Sequence, residues 1–280
     1  MDWVSALAAA RQRREPAVLV TVSDVRGHAP REIGAAMVVT ADAAWGSIGG
    51  GNLAEVALRR ARTLIADGAT AAVVHRSQLS DRGPAEHGVQ CCGGEVTVLL
   101  QPMPVRPAIA IFGLGHVGLE LALVLARHEV ELHLVDSRAE AVDDARLAAL
   151  REGPAVVHVH RLALLPELAV ASLPRGTQAL VMTHDHAEDL ALLDALLRHD
   201  AATPGAIGSI GVIGSRAKWV RFRARLGELG HAAAALDRVR TPIGDPDRTG
   251  LQGKQPAVIA LNVAVELLAG VGQRRPHEAR

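Results

Sequence analysis

The chain has 280 residues, of which 49% are hydrophobic, enough to fill one large core or two ordinary ones. Lys+Arg and Asp+Glu both count 30, and the resulting zero net charge argues against a partner held mainly by counterion release, nucleic acid above all. Aromatic residues make up only 2%, too few for the stacking platforms of single-stranded nucleic-acid binders.

In chain order, a first helix is expected from about Asp2 to Arg14. Its Arg11, Arg13 and Arg14 follow the apolar run, the reverse of a secretory signal's charge order, so a cytoplasmic location is expected. β-Branched runs at Ala17–Val25, Ala35–Thr40, Ala71–His75 and Glu95–Leu100 read as strands. Between them the glycine-rich turn Gly46–Asn52, with Gly49 and Gly50, offers backbone amides to an anion. It leads into a helix over Asn52–Ala66, whose Leu53, Val56, Ala57 and Leu64 form a stripe with Arg59, Arg60 and Arg62 mostly off it.

Cys91 and Cys92 are the only cysteines, and they are adjacent. Successive side chains diverge, and a disulfide between neighbours strains the intervening peptide, so neither a disulfide framework nor a spaced zinc or redox pair is available. Two readings of Gln90-Cys91-Cys92-Gly93-Gly94 stay open. The thiols are small residues buried at a strand start, or one is presented beside the glycines as a soft metal ligand or sulfur carrier.

Three prolines within Gln101–Pro107 mark the expected boundary, with an α+β module over residues 1–103 and a second domain over 104–280. The second part alternates strands (Ala108–Phe112, Glu131–Val135, Ala155–His160, Ala179–Met182, Ile207–Ile213) with helices (His116–Arg127, Ala139–Leu150, His186–His199, Arg216–Leu229, Pro256–Ala269). Such alternation predicts a parallel sheet with helices on both faces. The fold class is therefore α/β, an N-terminal α+β module followed by a Rossmann-like, doubly wound parallel-sheet domain. The longest apolar stretch, Pro107–Ala126, is interrupted by His116 and Glu120, so no membrane helix is expected.

Gly113, Gly115 and Gly118 follow the apolar strand and open a helix, the context a dinucleotide fingerprint requires. Asp136 ends the next strand, where an acid meets a ribose hydroxyl, and Arg138 beside it suits a phosphate, so NAD(P) is one candidate ligand. A second candidate anion site is the Gly214-Ser215-Arg216 turn, with Ser215, Arg216 and Lys218 at a helix start. His184-Asp185-His186 follows another strand end, as a proton-transfer or metal pair or with Asp185 capping the next helix. An NAD(P)-dependent oxidoreductase using Gly113, Asp136 and a histidine is thus an alternative function, though no tyrosine exists to complete a Tyr–Lys catalytic pair.

These motifs together carry a resemblance. Gly27-His28-Ala29-Pro30-Arg31, Gly46–Leu53, Gln90–Gly94, Gly113–Gly118, Asp136-Ser137-Arg138, Thr183–His186, Ile213–Arg216, Pro242-Ile243-Gly244 and Lys254-Gln255-Pro256 make nearly the whole chain similar to the XdhC/CoxI family of accessory proteins for molybdenum hydroxylases. The resemblance implies a non-catalytic chaperone that binds molybdenum cofactor, protects it while its terminal sulfur is installed, and delivers it to apo xanthine dehydrogenase. It implies as partners a cysteine desulfurase and the molybdenum-binding subunit of xanthine dehydrogenase, and Gln90, Cys91, Cys92 and Gly93 as cofactor contacts, the two thiols as metal ligands. The chain departs from the family pattern in having Ala54 directly after Leu53, with Glu55 next. Ala-rich helices also make a homodimer an expectation.

Overall fold

A computed structural model describes residues 1–79, 94–161 and 165–272. Two compact units meet in sequence at Val105 and Arg106.

The first unit is a five-stranded antiparallel sheet with one helix on each face. Helix α1 (Trp3–Gln12) starts where the Asp2 side chain accepts the Ser5 amide at 2.8 Å, an N-cap that satisfies an otherwise orphaned donor. Strands β1 (Ala17–Arg26), β2 (Ala36–Val39), β3 (Ala44–Gly46), β4 (Val73–Gln78) and β5 (Glu95–Met103) pair in the order β3-β2-β1-β5-β4. Alternation along β1 sends Val18, Val20 and Val22 to one face and Ala17 and Leu19 to the other. Helix α2 (Asn52–Ala66) covers the valine face with Leu53, Ala57 and Ala61, and α1 covers the opposite face with Ala6 and Ala10. Each fully buried Leu or Val here contributes roughly 1.5–3 kcal/mol.

α2 has the bounds its periodicity predicts, but Ala61 joins its buried stripe while Val56 and Leu64 are only half-buried. The proline run does not stop β5 at Leu100. β4 pairs only with Glu95–Leu100, so at Pro102 the strand has β1 alone as neighbour, and a residue without an N–H is tolerated there.

The second unit is a six-stranded parallel sheet. Its strands are β6 (Ala108–Phe112), β7 (Glu131–Val135), β8 (Val156–His160), β9 (Thr177–Val181), β10 (Ile207–Val212) and the short β11 (Val239–Arg240). They lie in the order β8-β7-β6-β9-β10-β11, every pair parallel. Numbered from β6, that is 3-2-1-4-5-6, the doubly wound Rossmann order. All five residues of central β6 are buried, as a strand covered on both faces requires. Helices α3 (His116–Leu125) and α6 (Pro256–Gly272) cover one face with Leu121, Leu125, Val263 and Leu267. Helices α4 (His186–Ala202) and α5 (Arg216–Glu228) cover the other with Leu192, Leu196, Phe222 and Leu226.

One expected helix is broken. Residues 139–150 form a 3-10 turn (Ala139–Val142), a helical turn (Asp144–Leu147) and a second 3-10 turn (Ala148–Glu152). Between the first two, Asp143 is extended and its carboxylate accepts the Ala145 amide at 3.0 Å, so its side chain competes with the backbone and restarts the helix. Among the described residues no helix is long and apolar enough to cross a membrane.

Candidate functional site

In a doubly wound sheet ligands bind outside the carboxyl ends of the strands, where the strand order reverses. Here that point lies between β6 and β9; Gly113 and Gly115 lie in the turn after β6 and Gly118 in the first turn of α3, Asp136 and Arg138 in the turn after β7, and Ser215 and Arg216 in the turn after β10. Gly113 has φ +102°, and a Cβ there would come within 2.5 Å of the Met182 carbonyl oxygen, so the turn after β6 presses directly on the turn after β9. A Cβ at Gly118 would lie 2.0 Å from the Gly113 oxygen, which is why the first turn of α3 can pack against the loop. Gly115 differs. It is the N-cap of α3, and nothing lies within 4 Å of a Cβ built there, so its backbone is approachable beside the unpaired first-turn amides.

Asp136, 3% exposed, ties the end of β7 to this loop. Its Oδ2 accepts from the Leu114 amide at 2.7 Å and Arg138 Nη2 at 2.8 Å, and its Oδ1 accepts from the Arg138 amide and Nε, both at 2.9 Å. A carboxylate has about four lone-pair sites, and all are filled within the unit. Burial pushes the Asp136 carboxyl up, but the Arg138 guanidinium and the two amides outweigh it and hold it below the usual carboxylate range. Arg146 closes the other side of the loop, donating to the Leu114 carbonyl at 2.8 Å. The acid expected at a ribose hydroxyl is therefore spent on the loop itself, and Arg138 is spent on the acid.

Beside them Ser137 donates to Glu188 at 2.8 Å. Burial pushes the Glu188 carboxyl up, the Ser137 bond opposes this, and the Asp136 charge adds to the rise. Asp185 caps α4, accepting the Ala187 amide at 2.7 Å, while His184 and His186 are exposed. Ser215 caps α5 by accepting the Lys218 amide at 3.2 Å, and Arg216 is exposed at the helix start.

Lys218 is not part of an anion cradle. Its ammonium turns inward to Asp189 Oδ2 at 2.5 Å and the Ile213 carbonyl at 3.2 Å. Asp189 is fully buried in the first turn of α4, and its Oδ1 also accepts from the Thr183 amide at 3.0 Å and hydroxyl at 2.7 Å. This network, which joins the turns after β9 and β10, is not evident from the sequence. The one signal is that Lys218 is one of only two lysines in an arginine-rich chain.

Gly49 and Gly50 lie in the first unit, in the turn that opens α2. The Gly49 amide donates to Ser47 Oγ at 3.2 Å, and a Cβ at Gly49 would strike Pro30, while Gly50 is open. A cavity of 580 Å³ is bounded on this unit by Trp3, Pro30, Arg31, Glu32, Gly46 and Ser47. Gln90, Cys91, Cys92 and Gly93 lie outside the described residues. Their neighbour Gly94 is described. A Cβ on it would meet the His28 carbonyl oxygen at 2.2 Å, and its own carbonyl accepts the Leu79 amide at 2.7 Å. The two residues flanking 80–93 are thus bonded to each other beside the Gly27–Arg31 segment.

Comparison with known proteins matches residues 10–76 to the XdhC and CoxI family and residues 109–267, more than half of the chain, to the XdhC Rossmann domain. The chain is 24% identical over 273 residues to the uncharacterized protein YqeB of Escherichia coli K12, covering 96% of this chain but 46% of that protein, so it spans about half of YqeB's length. It is 26% identical over 256 residues to the molybdenum cofactor insertion chaperone PaoD of the same organism, covering 81% of this chain and 76% of PaoD. Among solved structures it is similar to a xanthine dehydrogenase from Bacillus halodurans, with 17% identity, a TM-score of 0.47, and coverage of 100% of this chain and 98% of that one. The chain belongs to the XdhC and CoxI family.

Proposed function

We propose that the chain is a non-enzymatic insertion chaperone for the molybdenum cofactor, the role named for its relative PaoD. The observation that carries this over a dinucleotide enzyme is the saturation of Asp136 beside an open Gly115. A dinucleotide needs that acid for its ribose, whereas a pterin phosphate needs only amides, which the start of α3 supplies. In this reading Gly113, Gly115 and Gly118 shape the phosphate cradle, Asp136 and Arg138 hold it rigid, and Ser215 and Arg216 add polar contacts along the same sheet edge. On the first unit the open Gly50 is a further candidate backbone contact, and the Gly49 amide, bonded to Ser47 Oγ, shapes that turn.

The finer reading is that Gln90, Cys91, Cys92 and Gly93 are cofactor contacts, with the two thiols as soft metal ligands. The chain protects the cofactor during sulfuration by a cysteine desulfurase and delivers it to the molybdenum-binding subunit of apo xanthine dehydrogenase. Soft thiols suit molybdenum, and several moderate contacts suit cargo that must be released. The test is reconstitution: apo xanthine dehydrogenase is mixed with sulfurated cofactor, with and without the chain. Faster and more complete recovery of hydroxylase activity with the chain is expected, and equal recovery would refute delivery to that enzyme.

A further inference from the structure

Away from the carboxyl edge, two neighbouring strands depart from the apolar pattern that a buried parallel sheet demands. In β7, Leu132 and Leu134 face the α3 and α6 layer, and Glu131 and His133 face the other way. In β8, Val157 and Val159 join the first layer, and His158 and His160 face the other way. Parallel pairing puts His133 level with His158 and Val135 level with His160, so a carboxylate and three imidazoles share one face of two adjacent strands.

Their contacts are close. Glu131 Oε1 lies 3.2 Å from His133 Nε2 and 3.1 Å from His158 Nε2, and the three ligand atoms all lie within 4.8 Å of one another. The His133 and His158 rings stack at 4.7 Å. Two nitrogens and an oxygen bound at about 2.0–2.2 Å to one tetrahedral zinc ion lie about 3.3–3.6 Å apart, so two of the three edges are already near coordination length. His133 Nδ1 lies 3.1 Å from His160 Nε2. With its proton on Nδ1 and donated to His160, His133 presents an unprotonated Nε2 to the metal, the outer hydrogen bond that orients most ligating histidines. Burial fits too, because His133 and Glu131 are 5% and 14% exposed, which shields the ion, while His158 is 44% exposed and leaves an entry path.

We propose that Glu131, His133 and His158 form a divalent transition-metal site of the two-imidazole, one-carboxylate type, with His160 as the residue that positions His133. A borderline ion such as Zn2+ suits this donor set. The site is separate from the glycine loop: Glu131 opens β7 and Asp136 follows its end, about 16 Å away along the strand.

The test uses the full chain carrying Cys91→Ser and Cys92→Ser, so that no thiol competes, titrated with Zn2+ alone by calorimetry and with Co2+ by visible absorption. One equivalent of Zn2+ should bind, and Co2+ should give the intense visible bands of a tetrahedral site without thiolate charge transfer. His158→Ala and Glu131→Gln should each weaken Zn2+ binding by about a hundredfold or more, and His160→Gln by about tenfold. His158 is partly exposed, so His158→Ala should fold, and an unchanged metal-free melting temperature checks this. Failure of the parent to bind Zn2+, or unchanged affinity in both His158→Ala and Glu131→Gln, would overturn the proposal and leave the cluster as a hydrogen-bonded packing element.

Discussion

The Leu114 amide donates to Asp136 Oδ2 across 2.7 Å, joining the glycine turn after β6 to the end of β7. Both groups are buried. Asp136→Ala would leave the buried Leu114 amide without its acceptor, at a cost of about 1–3 kcal/mol, while the Arg138 guanidinium, 34% exposed, can turn to water. Urea unfolding should report that loss, with Asp136→Asn intermediate because its carbonyl can still accept from Leu114.

Asp136 also sets an acid dependence. Burial works to raise its carboxyl, but the Arg138 and amide bonds win and hold it below the ordinary value. A group whose folded value is depressed contributes stability that is complete above the unfolded value, about 3.9, and is lost as pH falls through the folded one. Thermal unfolding should therefore drop steeply below about pH 4, and Asp136→Asn should flatten that limb.

Lys218 and Asp189 form a buried pair whose acid also holds Thr183. Lys218→Met alone should destabilise the second unit by about 3–5 kcal/mol, because it leaves a buried carboxylate unpaired. Adding Asp189→Leu should recover part of that loss. A double-mutant cycle in urea checks this, and a coupling energy of about 1–3 kcal/mol is expected.

The glycines separate folding from binding. Gly118→Ala places a methyl 2.0 Å from the Gly113 oxygen and should cost about 3 kcal/mol or more. Gly115→Ala meets nothing within 4 Å and has an ordinary φ of −66°, so melting should be unchanged. In the proposed cargo reading the methyl stands where the phosphate approaches, and cofactor retention should fall at least severalfold.

Much of this was legible in sequence. α2 follows from its helical periodicity, the five longer parallel strands from apolar runs alternating with helices, and the glycine turn from the Gly113–Gly118 context. The short β3 and β11 carry too few residues for a period-two signal. Residues 139–150 read as one helix because Asp143 is hydrophilic in either role, and only its cap geometry shows the break. Lys218 reads in sequence as part of an anion-holding helix start, since its partner Asp189 lies on another helix. Glu131-x-His133 and His158-x-His160 read as ordinary strand alternation until the parallel register set them side by side.

Cargo binding is tested most directly by passing the purified chain through a desalting column after mixing it with molybdenum cofactor and, separately, with NAD(H). Molybdenum and pterin should elute with the protein, Cys91→Ala and Cys92→Ala should weaken that retention without unfolding it, and NAD(H) should separate. Retention of NAD(H) while the pterin passes through would contradict the chaperone reading.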